Sequence, residues 1–132
     1  MMRMSDIGEA GLLERLAWRF RRGGPGVVHG IGDDAAVLRA IGPGAVVSTD
    51  MLVEGVDFDF AWASHKDVGH KAAAVSLSDM AAMGAEPRGL LLLLAIRPTD
   101  LVEDIEGLIH SLARVGDKYD APLVGGDLSR TT

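Results

Sequence analysis

Five short stretches of this chain carry side chains suited to chemistry: Asp33-Asp34, Ser48-Thr49-Asp50, Glu54, Asp79 and Asp127. Three of them follow apolar runs and sit beside small residues, in Gly32-Asp33-Asp34, Ser48-Thr49-Asp50 and Gly125-Gly126-Asp127. The stretch around Val46 to Phe60 is the most explicit of these. An apolar run, Ala45-Val46-Val47, changes abruptly to two hydroxyls and a carboxylate. If the ends of such strands gather, several carboxylates face one cavity. Two unit charges ~4 Å apart repel by about 4 kcal/mol at an effective dielectric of 20. That is a large share of the roughly 5–15 kcal/mol that holds a domain together. A divalent cation removes the conflict. Oxygen donors, without cysteine and without paired histidines, favour magnesium over zinc. Magnesium takes one or two carboxylates plus phosphate oxygens and water, and neighbouring glycines let backbone approach a phosphate. The pattern therefore reads as a magnesium–phosphate site; the other reading is a set of unrelated surface acids.

The usual phosphate-binding signatures are absent. There is no G-x-x-x-x-G-K-[ST] and no protein-kinase lysine strand or H-R-D loop. Gly30, Gly32 and Ala35 match a dinucleotide fingerprint, followed by Asp50 at a plausible distance. That fingerprint requires a helix to begin at the turn, and Gly42-Pro43-Gly44 leaves no room for one. His65, His70 and His110 have no metal-binding spacing and read as solvent-facing or capping residues.

Composition narrows the classes further. The chain has 132 residues, one domain's worth, and 48% hydrophobic residues supply a core. No cysteine is present, which removes disulfides and thiolate sites and suits a reducing cytoplasm. The net charge of −6 and 5% aromatic content argue against nucleic acid as a partner. The segment after Met1 is acidic and not a signal peptide. The longest apolar run, Leu90 to Ile96, is far short of a membrane span of ~20 residues.

The elements that must position these acids follow from periodicity. Glu9 to Phe20 reads as a helix with a stripe of Leu12, Leu13, Leu16, Ala17 and Phe20, and Trp18 as a packing residue. Val27 to Ile31 and Ala35 to Leu38 read as paired strands, and a third strand ends at Asp50, with Leu52 to Phe58 continuing in extended form. Ser64 caps a helix from about His65 to Met83, with an apolar stripe of Val68, Ala72, Val75 and Met83. Asp79 stands among Leu77, Met80, Ala81 and Ala82. Leu90 to Ile96 reads as a strand covered on both faces. Asp100 with Glu103 reads as a capping pair opening a helix from Leu101 to about Lys118. Pro122-Leu123-Val124 is a last short strand, ending at Gly125-Gly126-Asp127. The class is α/β (α+β layers): a mixed sheet with helices packed on it.

Taken together, Gly30-Ile31-Gly32-Asp33-Asp34-Ala35-Ala36, Ser48-Thr49-Asp50-Met51-Leu52-Val53-Glu54-Gly55-Val56, Leu77-Ser78-Asp79-Met80-Ala81-Ala82-Met83-Gly84-Ala85 and Gly125-Gly126-Asp127 resemble thiamine-monophosphate kinase. They occur in that family's order and spacing. The wider superfamily, which includes aminoimidazole ribonucleotide synthetase, shares the acidic strand ends. The resemblance implies ATP-dependent, magnesium-dependent phosphorylation of thiamine monophosphate to thiamine diphosphate by direct transfer, in a homodimer that pairs its sheets. By motif position it implies magnesium ligands at Asp34, Ser48, Thr49, Asp50, Asp79 and Asp127, with Asp33 in support. Gly126 and Asp127 would lie against ATP, and Asp57 would touch the thiamine substrate. No residue is expected to act as a general base, because the acceptor phosphate is already ionised. The family has histidine where this chain has Asp57, and asparagine where it has Ser76. It also continues past this length into a second domain, so residues 1–132 correspond to an amino-terminal ATP- and magnesium-binding, dimerising domain. Two alternatives accompany this reading: a related ATP-using enzyme with another substrate, and a non-catalytic dimerising domain.

Overall fold

The computed structural model describes residues 2–20, 24–29, 37–39 and 46–131. Its elements run α1 (Met4–Arg19), β1 (Val27–His29), β2 (Val37–Leu38), α2 (His65–Ala82), β3 (Leu90–Ile96), α3 (Val102–Asp117) and β4 (Leu123–Arg130). β1 and β2 pair antiparallel, and β3 and β4 pair parallel. The α/β class is the one the periodicity predicts.

The core forms where α2 and α3 pack on each other and on one face of the β3–β4 pair. α3 contributes Val102, Ile105, Leu108, Ile109 and Leu112, all buried, from the stripe its spacing predicts. On α2 the buried face is Val68, Gly69 and Ala73. Gly69 explains the closeness of the two helices: a Cβ there would stand 2.0 Å from the Leu108 carbonyl oxygen. Met83 was expected on the α2 stripe, yet it is 68% exposed beyond the helix end. Ser64 caps α2 as predicted. Its hydroxyl accepts from Asp67 N at 3.2 Å, and Asp67 Oδ2 accepts from Ser64 N at 2.9 Å. The Ser64 hydroxyl also donates to Asp67 Oδ2 at 2.6 Å, and this bond first, then the one from Ser64 N, holds the Asp67 carboxyl below its ordinary range.

α1 starts earlier than its periodicity suggests. Gly8, at φ 64° and ψ −175°, interrupts it, so the regular helix follows from Glu9 while Met4 to Ile7 form a turn of their own. That first turn is tied to the loop after β3: Met4 N donates to Asp100 O and Ser5 N to Pro98 O, at 3.0 and 3.1 Å. In return Met2 O accepts from Val102 N at 3.0 Å, serving the free amino end of α3. The expected Asp100–Glu103 capping pair does not form. Leu101 is the N-cap, and the Asp100 carboxylate instead accepts from Arg97 N at 2.8 Å, closing the Pro98–Thr99 turn one residue too early to serve the helix.

Further along α1, Leu12 and Leu16 are buried, while Leu13 and Trp18 are 42% and 71% exposed; Trp18 lies off the stripe and is no core residue. Arg15 pairs with Glu106 of α3, which holds the Glu106 carboxyl below its ordinary range. Phe20 packs on His110 with ring centres 5.7 Å apart. Burial, then the nearby Arg19, pushes the His110 imidazole down, against the opposing pull of Glu106.

β3 matches its predicted bounds but not its predicted surroundings. Leu90, Leu92 and Leu94 pack against the core, whereas Leu91 and Leu93 are 64% and 71% exposed. The helices cover one face of the pair only, so a uniformly apolar run is here half open. β4 also departs from expectation. It does not stop at Gly125-Gly126-Asp127 but runs on to Arg130, in parallel register with β3 from Leu91↔Gly125 to Ile96↔Arg130. The two glycines read as a break in isolation, yet Gly126 is what lets β4 lie on β3. A Cβ there would sit 1.8 Å from the Leu92 carbonyl oxygen.

Candidate metal and phosphate site

Val46 to Asp50 was predicted as a strand. Among the described residues it is unpaired, with Val47 84% exposed. With no neighbouring strand among the described residues to take its backbone groups, the segment forms no ladder. It passes α2 instead, where the Ser48 hydroxyl donates to Asp79 Oδ2. This contact spans 31 positions in sequence and joins two of the acid-bearing motifs.

Asp79 lies in the last turn of α2, and that turn carries no basic residue. The carbonyl end of a helix bears roughly half a negative charge, so a carboxylate there is opposed by about 0.3–1 kcal/mol. Nothing in the helix's own design accounts for an acid at this point. A cation bound beside it would.

Leu52 to Phe58 was expected to continue in extended form. It folds instead into a tight turn at Gly55, φ 80°, with a bridge between Glu54 and Phe58. Asp57 organises that turn: its Oδ2 accepts from Val53 N at 2.8 Å, and its carbonyl accepts from Lys71 Nζ on α2. Glu54 reaches Arg97 at the end of β3, 3.7 Å away. Phe58 and Phe60 then pack edge to face at 5.1 Å, and Phe60 stacks on His65 at 4.1 Å. His65 is therefore held between Phe60 and Asp104, which lies 3.8 Å away, and is not a freely solvated residue. The segment from 48 to 60 is thus pinned to α2 and β3 at Asp79, Arg97 and Lys71.

The remaining expected ligands are placed as follows. Thr49 and Asp50 are exposed beside Ser48. Asp127 is exposed in mid-strand on β4, opposite Leu93, with Gly126 before it. Asp33 and Asp34 lie outside the described residues. In chemical type these donors, hydroxyl and carboxylate oxygens, fit a hard divalent cation. Among the described residues, Ser48 with Asp79 is the pair that comes together, and no three carboxylate or imidazole groups gather in one cluster. The double role of Gly126 and the turn-forming role of Asp57 were missed from sequence. An aspartate four residues after an amide across a glycine was the available signal for the second.

Comparison with known proteins agrees with this architecture. Residues 32–132 match the family described as AIR synthase related protein, N-terminal domain. The thiamine-monophosphate kinase of Synechococcus elongatus is 42% identical over 129 residues, covering 97% of this chain and 38% of that protein. The thiamine-monophosphate kinase of Salmonella typhimurium is 40% identical over 124 residues, covering 93% of this chain and 38% of that protein. In the crystal structure of thiamine-monophosphate kinase from Stenotrophomonas maltophilia, the matching part superposes with a TM-score of 0.76 at 36% identity. It covers 95% of this chain and 39% of that one. The chain thus spans about two fifths of the length of these relatives. Motif order, layered fold and family match agree, and the chain belongs to the family of AIR synthase related proteins through its N-terminal domain.

Proposed function

We propose that this chain is the amino-terminal, ATP- and magnesium-binding part of an enzyme that phosphorylates thiamine monophosphate to thiamine diphosphate. The observation that carries this reading is the Ser48–Asp79 contact. It brings a hydroxyl and an otherwise ill-placed helix-terminal carboxylate together in a chain resembling thiamine-monophosphate kinases along nearly its whole length. Magnesium would be held by Asp34, Ser48, Thr49, Asp50, Asp79 and Asp127, and when bound it would neutralise charge on the transferring phosphoryl group. Ser48 orients the Asp79 carboxylate. Gly126 and Asp127 lie along ATP. Asp57 keeps one oxygen on Val53 N, leaving the other to meet the cationic thiazolium ring of the acceptor. Positioning and charge neutralisation carry the rate, since an ionised acceptor phosphate needs no general base. The half-open apolar face of β3, with Leu91 and Leu93 outward, supports pairing with a second copy. No helix among the described residues is long and apolar enough to cross a membrane, and the reading places the enzyme in the cytoplasm.

The test is calorimetric titration of the chain with a non-hydrolysable ATP analogue, with and without magnesium. It is followed by a thiamine monophosphate kinase assay on the chain joined to the carboxy-terminal portion its relatives share. Magnesium-dependent binding and transfer to thiamine monophosphate are expected. Magnesium-independent binding, or transfer to other acceptors at equal rate, would refute the assignment.

A further inference from the structure

A second place in the molecule has the opposite chemistry. A cavity of ≈ 310 Å³ opens where α1, α2 and α3 meet, near the lower end of the ~300–1,000 Å³ typical of small-molecule sites. Its wall carries Arg19 from α1, Lys66 and His70 from α2, and His110, Arg114 and Lys118 from α3. The sequence spacing explains the convergence: residues 66 and 70 are one helical turn apart, and 110, 114 and 118 are successive turns of one face. No carboxylate lines the cavity among the described residues. Of the acids that act on the wall, Glu106, which acts on Arg19 and His110, is paired with Arg15, and Asp67, which acts on His70, is hydrogen-bonded to Ser64. In a chain of net charge −6, four full positive charges and two imidazoles therefore face one concavity. His110 adds a further sign: its Nε2 is shut from solvent and has no hydrogen-bond partner among the described residues.

Ordinary helix design explains part of this. Arg114 and Lys118 suit the carbonyl end of α3. It does not explain Lys66, which sits in the first turn of α2, where the helix end itself is positive. Arg19 likewise suits the carbonyl end of α1, but nothing in that helix's design places it beside the cations of α2 and α3. The geometry points to an anion-binding pocket for a small di- or triphosphate, separate from the Ser48–Asp79 site and independent of magnesium. Concave, charge-focused and multidentate, the wall matches several phosphate oxygens at once. The cation stems also lie well for this: Lys66 runs over Gly107, whose Cβ position is 3.6 Å from Lys66 Cε and Cγ.

The probe is inorganic tripolyphosphate, titrated calorimetrically into the chain with a chelator present, so that no divalent cation can bridge it to the acidic motifs. The same titration is run on the double variant Lys66→Ser with Arg114→Ser, on Lys118→Ala, and on Asp79→Asn. Lys66, Arg114 and Lys118 are exposed, so their truncation leaves the core untouched; far-ultraviolet circular dichroism confirms each fold. Binding by the native chain, weakened at least about tenfold in the double variant by loss of two charge-assisted contacts, is expected. Asp79→Asn should bind as the native chain does, and the ring protons of His70 and His110 should shift on titration. The proposal is overturned by an absence of binding, or by equal binding in the native chain and the double variant. Loss of binding in Asp79→Asn, or stronger binding per phosphate of a random oligonucleotide, would also overturn it. None of these outcomes depends on whether the kinase reading holds, because magnesium and ATP are absent throughout.

Discussion

Replacing Asp79 by Asn separates the structural and the ligand-binding roles of this carboxylate. In the ligand-free chain two terms oppose each other. The Ser48 hydroxyl exchanges a charged acceptor for a neutral one, a loss of roughly 1 kcal/mol, since hydrogen bonds to charged groups contribute about 1.5–3 and neutral ones about 0.5–1.5. Removing a negative charge from the last turn of α2, which has no base of its own, regains about 0.3–1 kcal/mol. The net change should therefore lie within about 1 kcal/mol of zero. A chain of this size responds by roughly 3–6 °C in melting temperature per kcal/mol. With magnesium and an ATP analogue at about 100 times Kd, native protein gains about 2.7 kcal/mol by linkage. This corresponds to an upward shift of roughly 8–16 °C. The variant should show almost none of that shift. The assay is a thermal melt of both proteins with and without ligand. An equal ligand-induced shift in both would refute a metal-ligating role for Asp79. A fall of several kcal/mol in the ligand-free variant would show that the carboxylate is primarily structural.

Three other outcomes follow from the same structure. Gly126→Ala drives a Cβ onto the Leu92 carbonyl and should cost about 1–3 kcal/mol or more by overpacking, read as a lowered urea midpoint; an unchanged midpoint would mean that β4 does not lie against β3. Asp57→Ala removes the acceptor for Val53 N, so hydrogen exchange at that amide should quicken while α3 amides keep their protection. His110 and Glu106 both have lowered pKa values in the folded chain, so the unfolded chain takes up protons first as pH falls. Their stabilisation is complete above the ordinary imidazole range. That of His110 is lost as pH falls from there toward its lowered value, and that of Glu106 is lost further into acid. Urea unfolding from pH 7.5 to 5 should show a falling stability, flattened in the imidazole window by His110→Gln.

Much of this arrangement was readable in the residues themselves. The seven-residue run Leu90 to Ile96 has no other stable use than a strand, and Ser64 three positions before Asp67 announces the start of α2. Asp79 stood out as an acid in an apolar helix segment before any contact was known. What could not be read depends on partners distant in sequence. Gly126 looks like a strand terminus until β3 is beside it, and Gly69 looks like a weak helix residue until the Leu108 carbonyl is found against it. The outward half of β3 follows from having helices on only one side, which composition does not reveal. The basic cavity requires three helices to meet, and each contributes only one or a few unremarkable surface cations.

The anchoring of Met2, Met4 and Ser5 to Pro98, Asp100 and Val102 also bears on the order of events during synthesis. The first helix is made first, but the segment it docks on is made almost a hundred residues later. At about 5–20 residues per second a ribosome takes roughly 5–20 s to supply it, plus the time for the new segment to clear the exit tunnel. Through that interval Leu12 and Leu16, which end in the core, have nowhere native to go. The first helix therefore waits for the segment from Pro98 to Val102 before it can dock, and until then it is a natural point for chaperones to hold the nascent chain.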